Sequence, residues 1–220
     1  MIENILFDLD GTLADTAPDL AGALNATRIT HGLEPLTLET ISPTVSLGGN
    51  AMIKLAFNLE EGDDGFEEIR DQFLNYYLEH IAEETKLYEG MHDLLNMLER
   101  NNKTWGIVTN KSTWLTTPLL EELELDKRSA CVVCGDTLEH RKPHPAPILH
   151  ACDLINAKPE TTLYIGDAQR DIEAGSRAGT KTMVALYGYI EENENPADWN
   201  ADIMVSSVDE INDKLSELCR

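Results

Sequence analysis

Positive charge is scarce in this chain. Lysine and arginine total 17 against 40 aspartates and glutamates, a formal net charge of −23 over 220 residues. Such a surface repels nucleic acid and anionic membranes, which excludes a binder that works through a basic footprint. An anionic ligand would need positive charge supplied locally, by a metal, a lysine or backbone N–H groups. Long apolar runs are missing too: no stretch approaches the ~20 consecutive apolar residues of a membrane span. "MIENILF" enters a strand pattern directly, without the basic segment or cleavage site of a secretion signal, so a cytoplasmic protein is expected. Cysteine is sparse. Cys131, Cys134, Cys152 and Cys219 do not make a disulfide framework in a chain this long. Cys131 and Cys134 have the spacing of a metal or redox pair, but "SACVVCGD" reads as a buried strand. Residues three apart on a strand face opposite sides, so both are expected in the core.

What is present is a strand–helix alternation. Apolar runs at 3–8, 103–109, 130–134, 161–165, 181–185 and 202–205 read as strands. Amphipathic patterns at 90–101, 113–124, 145–156, 170–178 and 207–218 read as helices. This order predicts an α/β fold: a Rossmann-like parallel sheet with helices on both faces. The first strand breaks the rhythm, because a long, mostly helical segment separates it from the second. It is too long for a crossover. The expected division is a catalytic core of residues 1–14 and 89–220, with 15–88 an inserted helical cap. Asp15 or Thr16, ahead of Pro18, is expected to cap the cap's first helix. The acidic stretch 188–199, "GYIEENENPADW", reads as an irregular loop able to fold back near the sheet.

In open α/β sheets ligands bind beyond the carboxyl ends of the strands. There the first strand delivers Asp8 and Asp10, and the second Thr109, Asn110 and Lys111. The third is followed by "HRKPHP" with Lys142, and the fourth by "GDAQRD" with Asp167 and Asp171. An aspartate after a strand is commonly just a helix cap. The ordered set is a stronger signal.

Asp8-Leu-Asp10-Gly-Thr12, Thr109-Asn110, Lys142-Pro-His-Pro and Gly166-Asp167…Asp171 resemble the four motifs of the haloacid dehalogenase superfamily, over nearly the whole expected core. The helical insert resembles that superfamily's cap. More narrowly, "VTNKSTWLTTPLLEELEL", "KPHPAPILHAC", "YIGDAQRDIEAGSRAGTKT" and "ALYGYI" resemble phosphoglycolate phosphatases.

The residue chemistry agrees with the resemblance. Asp8 is the expected nucleophile, forming an acyl phosphate that divides one hard hydrolysis into two steps. Asp10 is the expected general acid and base. Asp8 and Asp167 are hard oxygen ligands suited to Mg²⁺; the resemblance adds the Asp10 backbone carbonyl, and Asp171 is a direct or supporting ligand. Thr109, Asn110 and N–H groups from Leu9 to Asp10 are expected on the phosphate. Lys142 is expected to neutralise both Asp8 and the phosphoryl group. His140 and His144 read as loop residues. In the cap, Gly48, Gly49 and Asn50 or Lys54 are candidates for an anionic group of the substrate, although Lys54 is equally readable as a solvated helix residue.

The expected partner is a small phosphorylated metabolite, with the chain a monomer or homodimer. The resemblance implies 2-phosphoglycolate, and N-acetylmuramic acid 6-phosphate is the rival substrate. A phosphomutase shares the constellation. A hydrolytic dehalogenase needs neither the metal nor a second acid, and a phospho-accepting signalling protein lacks the helical insert.

Overall fold

The computed structural model describes residues 1–218. Six strands form one parallel sheet in the order β5 (Val132–Val133), β4 (Thr104–Val108), β1 (Asn4–Phe7), β6 (Thr162–Gly166), β7 (Lys181–Ala185) and β8 (Ile203–Val205). All four residues of β1 are buried, as befits a strand covered on both faces. Its side chains divide between two layers. Ile5 and Phe7 join Trp105, Ile107, Leu163 and Ile165 under helices α5 (Met91–Arg100), α6 (Thr113–Glu122) and α9 (Val208–Leu218). Leu6 joins Val108, Val133 and Tyr164 under α7 (Ala146–Leu154) and α8 (Gln169–Ala178).

Register places the chemistry. Phe7 pairs with Ile107 on one side and with Ile165 on the other. The residues beyond these three therefore emerge at one edge: Asp8 at the centre, one residue past Phe7, with Thr109 and Asp167 two residues past Ile107 and Ile165 on either side.

Residues between β1 and α5 form helices α1 (Ala17–Thr30), α2 (Leu38–Val45), α3 (Gly49–Phe57) and α4 (Phe66–Glu79). They bury their own cluster, including Leu24, Ile41, Ile53, Phe73 and Tyr77. The chain enters and leaves this layer through an antiparallel ribbon of β2 (Ala14–Asp15) and β3 (Lys86–Leu87). Asp19 on α1 braces the return: its carboxylate accepts from Glu84 N (2.9 Å), Thr85 N (2.9 Å) and Thr85 Oγ1 (2.7 Å).

Four details differ from the pattern in the sequence or bear on it. Thr16 does precede α1, with Pro18 in the first turn, but its hydroxyl caps nothing. It donates to Asp10 Oδ1 at 2.7 Å, while Ala17 N donates to the Tyr189 hydroxyl at 2.8 Å. A tertiary acceptor has replaced the local one. Strand β5 is two residues rather than five, because it is an edge strand paired only with β4. Cys131, Cys134 and Cys152 are free and buried, and burial pushes the Cys131 thiol up to about 11, as expected of core residues; Cys219 lies outside the described residues. The acidic loop does fold back, seating Trp199 against Ile172 and Val184.

Asp19→Ala is expected to destabilise the protein by about 1–3 kcal/mol, since it strands buried donors of Thr85. Denaturant unfolding measures the loss. Hydrogen exchange at Glu84 and Thr85 should accelerate, and unchanged exchange there would contradict the bracing role.

Candidate active site

The centre of the site is an ammonium group shut away from solvent. Lys142 Nζ, wholly buried, lies 2.9 Å from Asp8 Oδ1 and 2.7 Å from Asp171 Oδ1. It also meets Val108 O at 2.8 Å and the Tyr164 hydroxyl at 2.7 Å. Three protons face four oxygens, so none is left for a ligand. Asn110 fixes the loop that carries the lysine: its Nδ2 donates to Lys142 O (2.9 Å) and its Oδ1 accepts from Lys142 N (3.1 Å). Thus Asn110, expected to bind phosphate, spends its amide largely on the lysine loop. The Leu9 N–H, expected to do the same, donates to Asp8 Oδ1 at 2.8 Å.

Asp167, fully buried, receives Tyr189 N (2.8 Å) and the Ser46 hydroxyl (2.7 Å) on Oδ2. Two glycines pack closely against it. A Cβ on Gly11, whose φ is +81°, would lie 2.2 Å from Asp167 Oδ2, and one on Gly188 would lie 2.3 Å from Asp167 Cβ. Asp8, Asp167 and Asp171 each bring one carboxylate oxygen within 4.8 Å of the other two. Burial pushes Asp8 up to about 6 and Asp167 up to about 7, with neighbouring carboxylates adding to the rise and Lys142 opposing it at Asp8. Three buried acids sharing one lysine are short of positive charge. An all-oxygen set of this kind suits a hard divalent cation. Asp171 also accepts from Ala168 N at 3.0 Å, so both its oxygens already have partners.

Asp10 sits apart from that cluster. Its Oδ1 takes Lys111 Nζ at 3.0 Å as well as Thr16, and Lys111 in turn lies over the Tyr77 ring of α4, 4.6 Å from its centroid. Neighbouring acids thus have separate cations: Lys142 for Asp8 and Lys111 for Asp10. The Thr109 hydroxyl accepts from Lys111 N at 3.1 Å, leaving its proton available.

A cleft of about 620 Å³ runs from Asp8, Asp10, Thr109 and Lys142 to Gly48, Gly49 and Asn50 at the start of α3. Lys54 is not on its wall. The lysine is exposed and bonds Glu60 at 2.5 Å, as a solvated helix residue does. His140 and His144 pack against each other in the lysine loop, their rings tilted and 4.4 Å apart between centroids. The sequence reading passed over Tyr164, Ser46 and Tyr189, and gave Lys111 no role. Only Lys111, beside Thr109 and Asn110, carried a local signal.

The raised carboxyls bind protons in the folded chain that the unfolded chain has released. Without metal, their contribution therefore destabilises the fold as pH rises from about 4 through about 7. Asp167→Asn is expected to be more stable than the wild type at pH 8 in EDTA, by on the order of 1–3 kcal/mol, with the gap closing by pH 4. Thermal melts across that range test this, and a gap that widens toward acid would refute it.

Comparison with known proteins gives a consistent result. A family model described as haloacid dehalogenase-like hydrolase matches residues 5–185. The chain is 41% identical over 219 residues to the N-acetylmuramic acid 6-phosphate phosphatase of Pseudomonas aeruginosa, covering 99% of this chain and 97% of that protein. It is 40% identical over 202 residues to the phosphoglycolate phosphatase of Xanthomonas campestris pv. campestris, covering 91% and 90%. A crystal structure of a protein described as a predicted phosphoglycolate phosphatase, from Haemophilus somnus 129pt, superposes with a TM-score of 0.86 at 28% identity, covering 96% of this chain and 97% of that one. With the family model running from β1 to β7 and across every strand-end motif, the chain belongs to the haloacid dehalogenase-like hydrolases.

Proposed function

We propose that the chain is a Mg²⁺-dependent phosphomonoester hydrolase acting through an aspartyl phosphate on Asp8. The observation that carries this is the separation of Asp8, clamped by Lys142 beside Asp167 and Asp171, from Asp10, held by Lys111 and Thr16. A dehalogenase needs no such second acid. Asp8 attacks phosphorus, the bond to the leaving oxygen breaks, and Asp10 gives that oxygen a proton. Asp10 then takes a proton from water as it attacks the acyl phosphate, and Asp8 is restored. Thr109 orients a non-bridging oxygen. Asp8 and Asp167, with the Asp10 carbonyl, would hold Mg²⁺, and Asp171 would support them by fixing Lys142. When bound, Mg²⁺ supplies charge that stabilises the phosphoryl oxygens and keeps both aspartates ionised.

Segment 15–88 is read as a cap that covers the cleft and selects the organic part of the substrate, with the N–H groups at Gly48–Asn50 available to an anion. The substrate is a small phosphorylated metabolite, 2-phosphoglycolate on the main reading. N-acetylmuramic acid 6-phosphate is the second, favoured by the nearly full-length match to the Pseudomonas protein and by a cleft roomy for a two-carbon acid. Among the described residues no helix is long and apolar enough to cross a membrane, which is compatible with a cytoplasmic enzyme.

A panel of phosphate monoesters including both candidates, with Mg²⁺ and with EDTA, tests the proposal. Metal-dependent release of phosphate is expected, falling below about 10⁻³ of wild type in Asp8→Asn, a loss comparable to removing a nucleophile elsewhere. Full activity of Asp8→Asn, or activity in EDTA, would overturn it. The kcat/KM ratio of the two candidates decides the substrate.

A further inference from the structure

Five basic side chains line the cleft, and four are accounted for. Lys142 serves Asp8 and Asp171, Lys111 serves Asp10, Arg70 pairs with Glu67 and Asp71, and Arg141 is exposed to water. Arg170 is the exception. It is half-buried and enters no ion pair or hydrogen bond among the described residues, and its Nε is sealed from solvent without an acceptor. A shielded donor left unpaired is rare in folded proteins, and it is costly. It is all the more conspicuous in a chain where acids outnumber bases 40 to 17.

Its place in the chain is fixed by α8. Arg170 stands in the first turn, directly before Asp171 and three residues after Asp167, and its charge acts on Asp171, Asp8 and Asp167 together. At the same centre Thr109 keeps a free proton, but other expected phosphate donors are largely committed. The protons of Lys142 go to four protein oxygens, Asn110 clamps the lysine loop, and the Leu9 N–H serves Asp8.

We propose that Arg170 is a phosphoryl-binding residue of this enzyme, its guanidinium donating to the non-bridging oxygens of the group that Asp8 attacks. This rests on the reading of the chain as a phosphomonoester hydrolase. Phosphate oxygens entering the cleft supply the acceptors that the guanidinium lacks, and arginine's planar fork suits two of them at once. Lys142 then serves to hold the nucleophile, and Arg170 to hold the phosphoryl group.

The test uses Arg170→Gln and Arg170→Lys beside the wild type, with inorganic phosphate as the probe. Calorimetric titration in Mg²⁺ reads phosphate affinity without turnover. Arg170→Gln is expected to weaken it by about 10–100-fold, the range for a hydrogen bond to a charged group, with Arg170→Lys recovering part of the loss. The same factor should appear in kcat/KM for every phosphomonoester, whatever its leaving group, while Mg²⁺ affinity stays within about twofold. Unchanged phosphate affinity overturns the assignment. So does a loss confined to substrates bearing a carboxylate, or one matched by a loss of Mg²⁺ affinity, which would make Arg170 a support for the aspartates. A wild type that binds phosphate through Arg170 but hydrolyses no monoester would refute the hydrolase reading and leave the anion site standing; a wild type that binds no phosphate refutes Arg170 as well.

Discussion

A single buried ammonium organises the catalytic edge of the sheet. Enclosing Lys142 without partners would be prohibitive, and enclosing Asp8 and Asp171 without it equally so. Each group is tolerable only in the presence of the others, so their geometry is set collectively. Tyr164 and the Val108 carbonyl complete the ammonium's surroundings, drawing on β4 and β6, the two strands that flank β1. The Asn110 clamp removes slack from the loop that delivers the lysine. The result is a carboxylate, the proposed nucleophile, whose orientation is settled before any substrate arrives, the condition under which electrostatic stabilisation of a transition state costs least.

The same edge is deliberately short of cations. Asp167 lies beside two other carboxylates, where an apolar or amide side chain would suit the fold better, and Gly11 and Gly188 leave it no room to withdraw. Proteins accept such local instability where chemistry requires it. On the proposed reading a divalent cation completes this site, and its charge would let so acidic a molecule attract an anion.

Much of this was legible from residue order. Parallel strands covered on both faces announce themselves as short apolar runs, and the residues that follow them share one edge by register. Asp8, Thr109, Lys142 and Asp167 could therefore be grouped without coordinates. Contacts that depend on distant pairing could not. Nothing local to Ser46 or Tyr189 points to Asp167, 121 and 22 residues away, and nothing local to Thr16 says that its hydroxyl will abandon the helix for Asp10. Asn110 and the Leu9 N–H were correctly located, but their hydrogen bonds had other owners. Lys54 was drawn in by charge alone, and an exposed glutamate six residues on was enough to claim it.

The ribbon of β2 and β3 has a consequence of its own. Chain enters and leaves the four-helix layer through two adjacent antiparallel segments, so the sheet sees that long excursion as a closed loop with neighbouring ends. Exchanging the helices for others of different length or shape would leave the strand register untouched, provided that the partners they lend the catalytic edge, Ser46 to Asp167 and Tyr77 to Lys111, were supplied again. The architecture thus lets the layer over the cleft change while the sheet that carries the chemistry keeps its register.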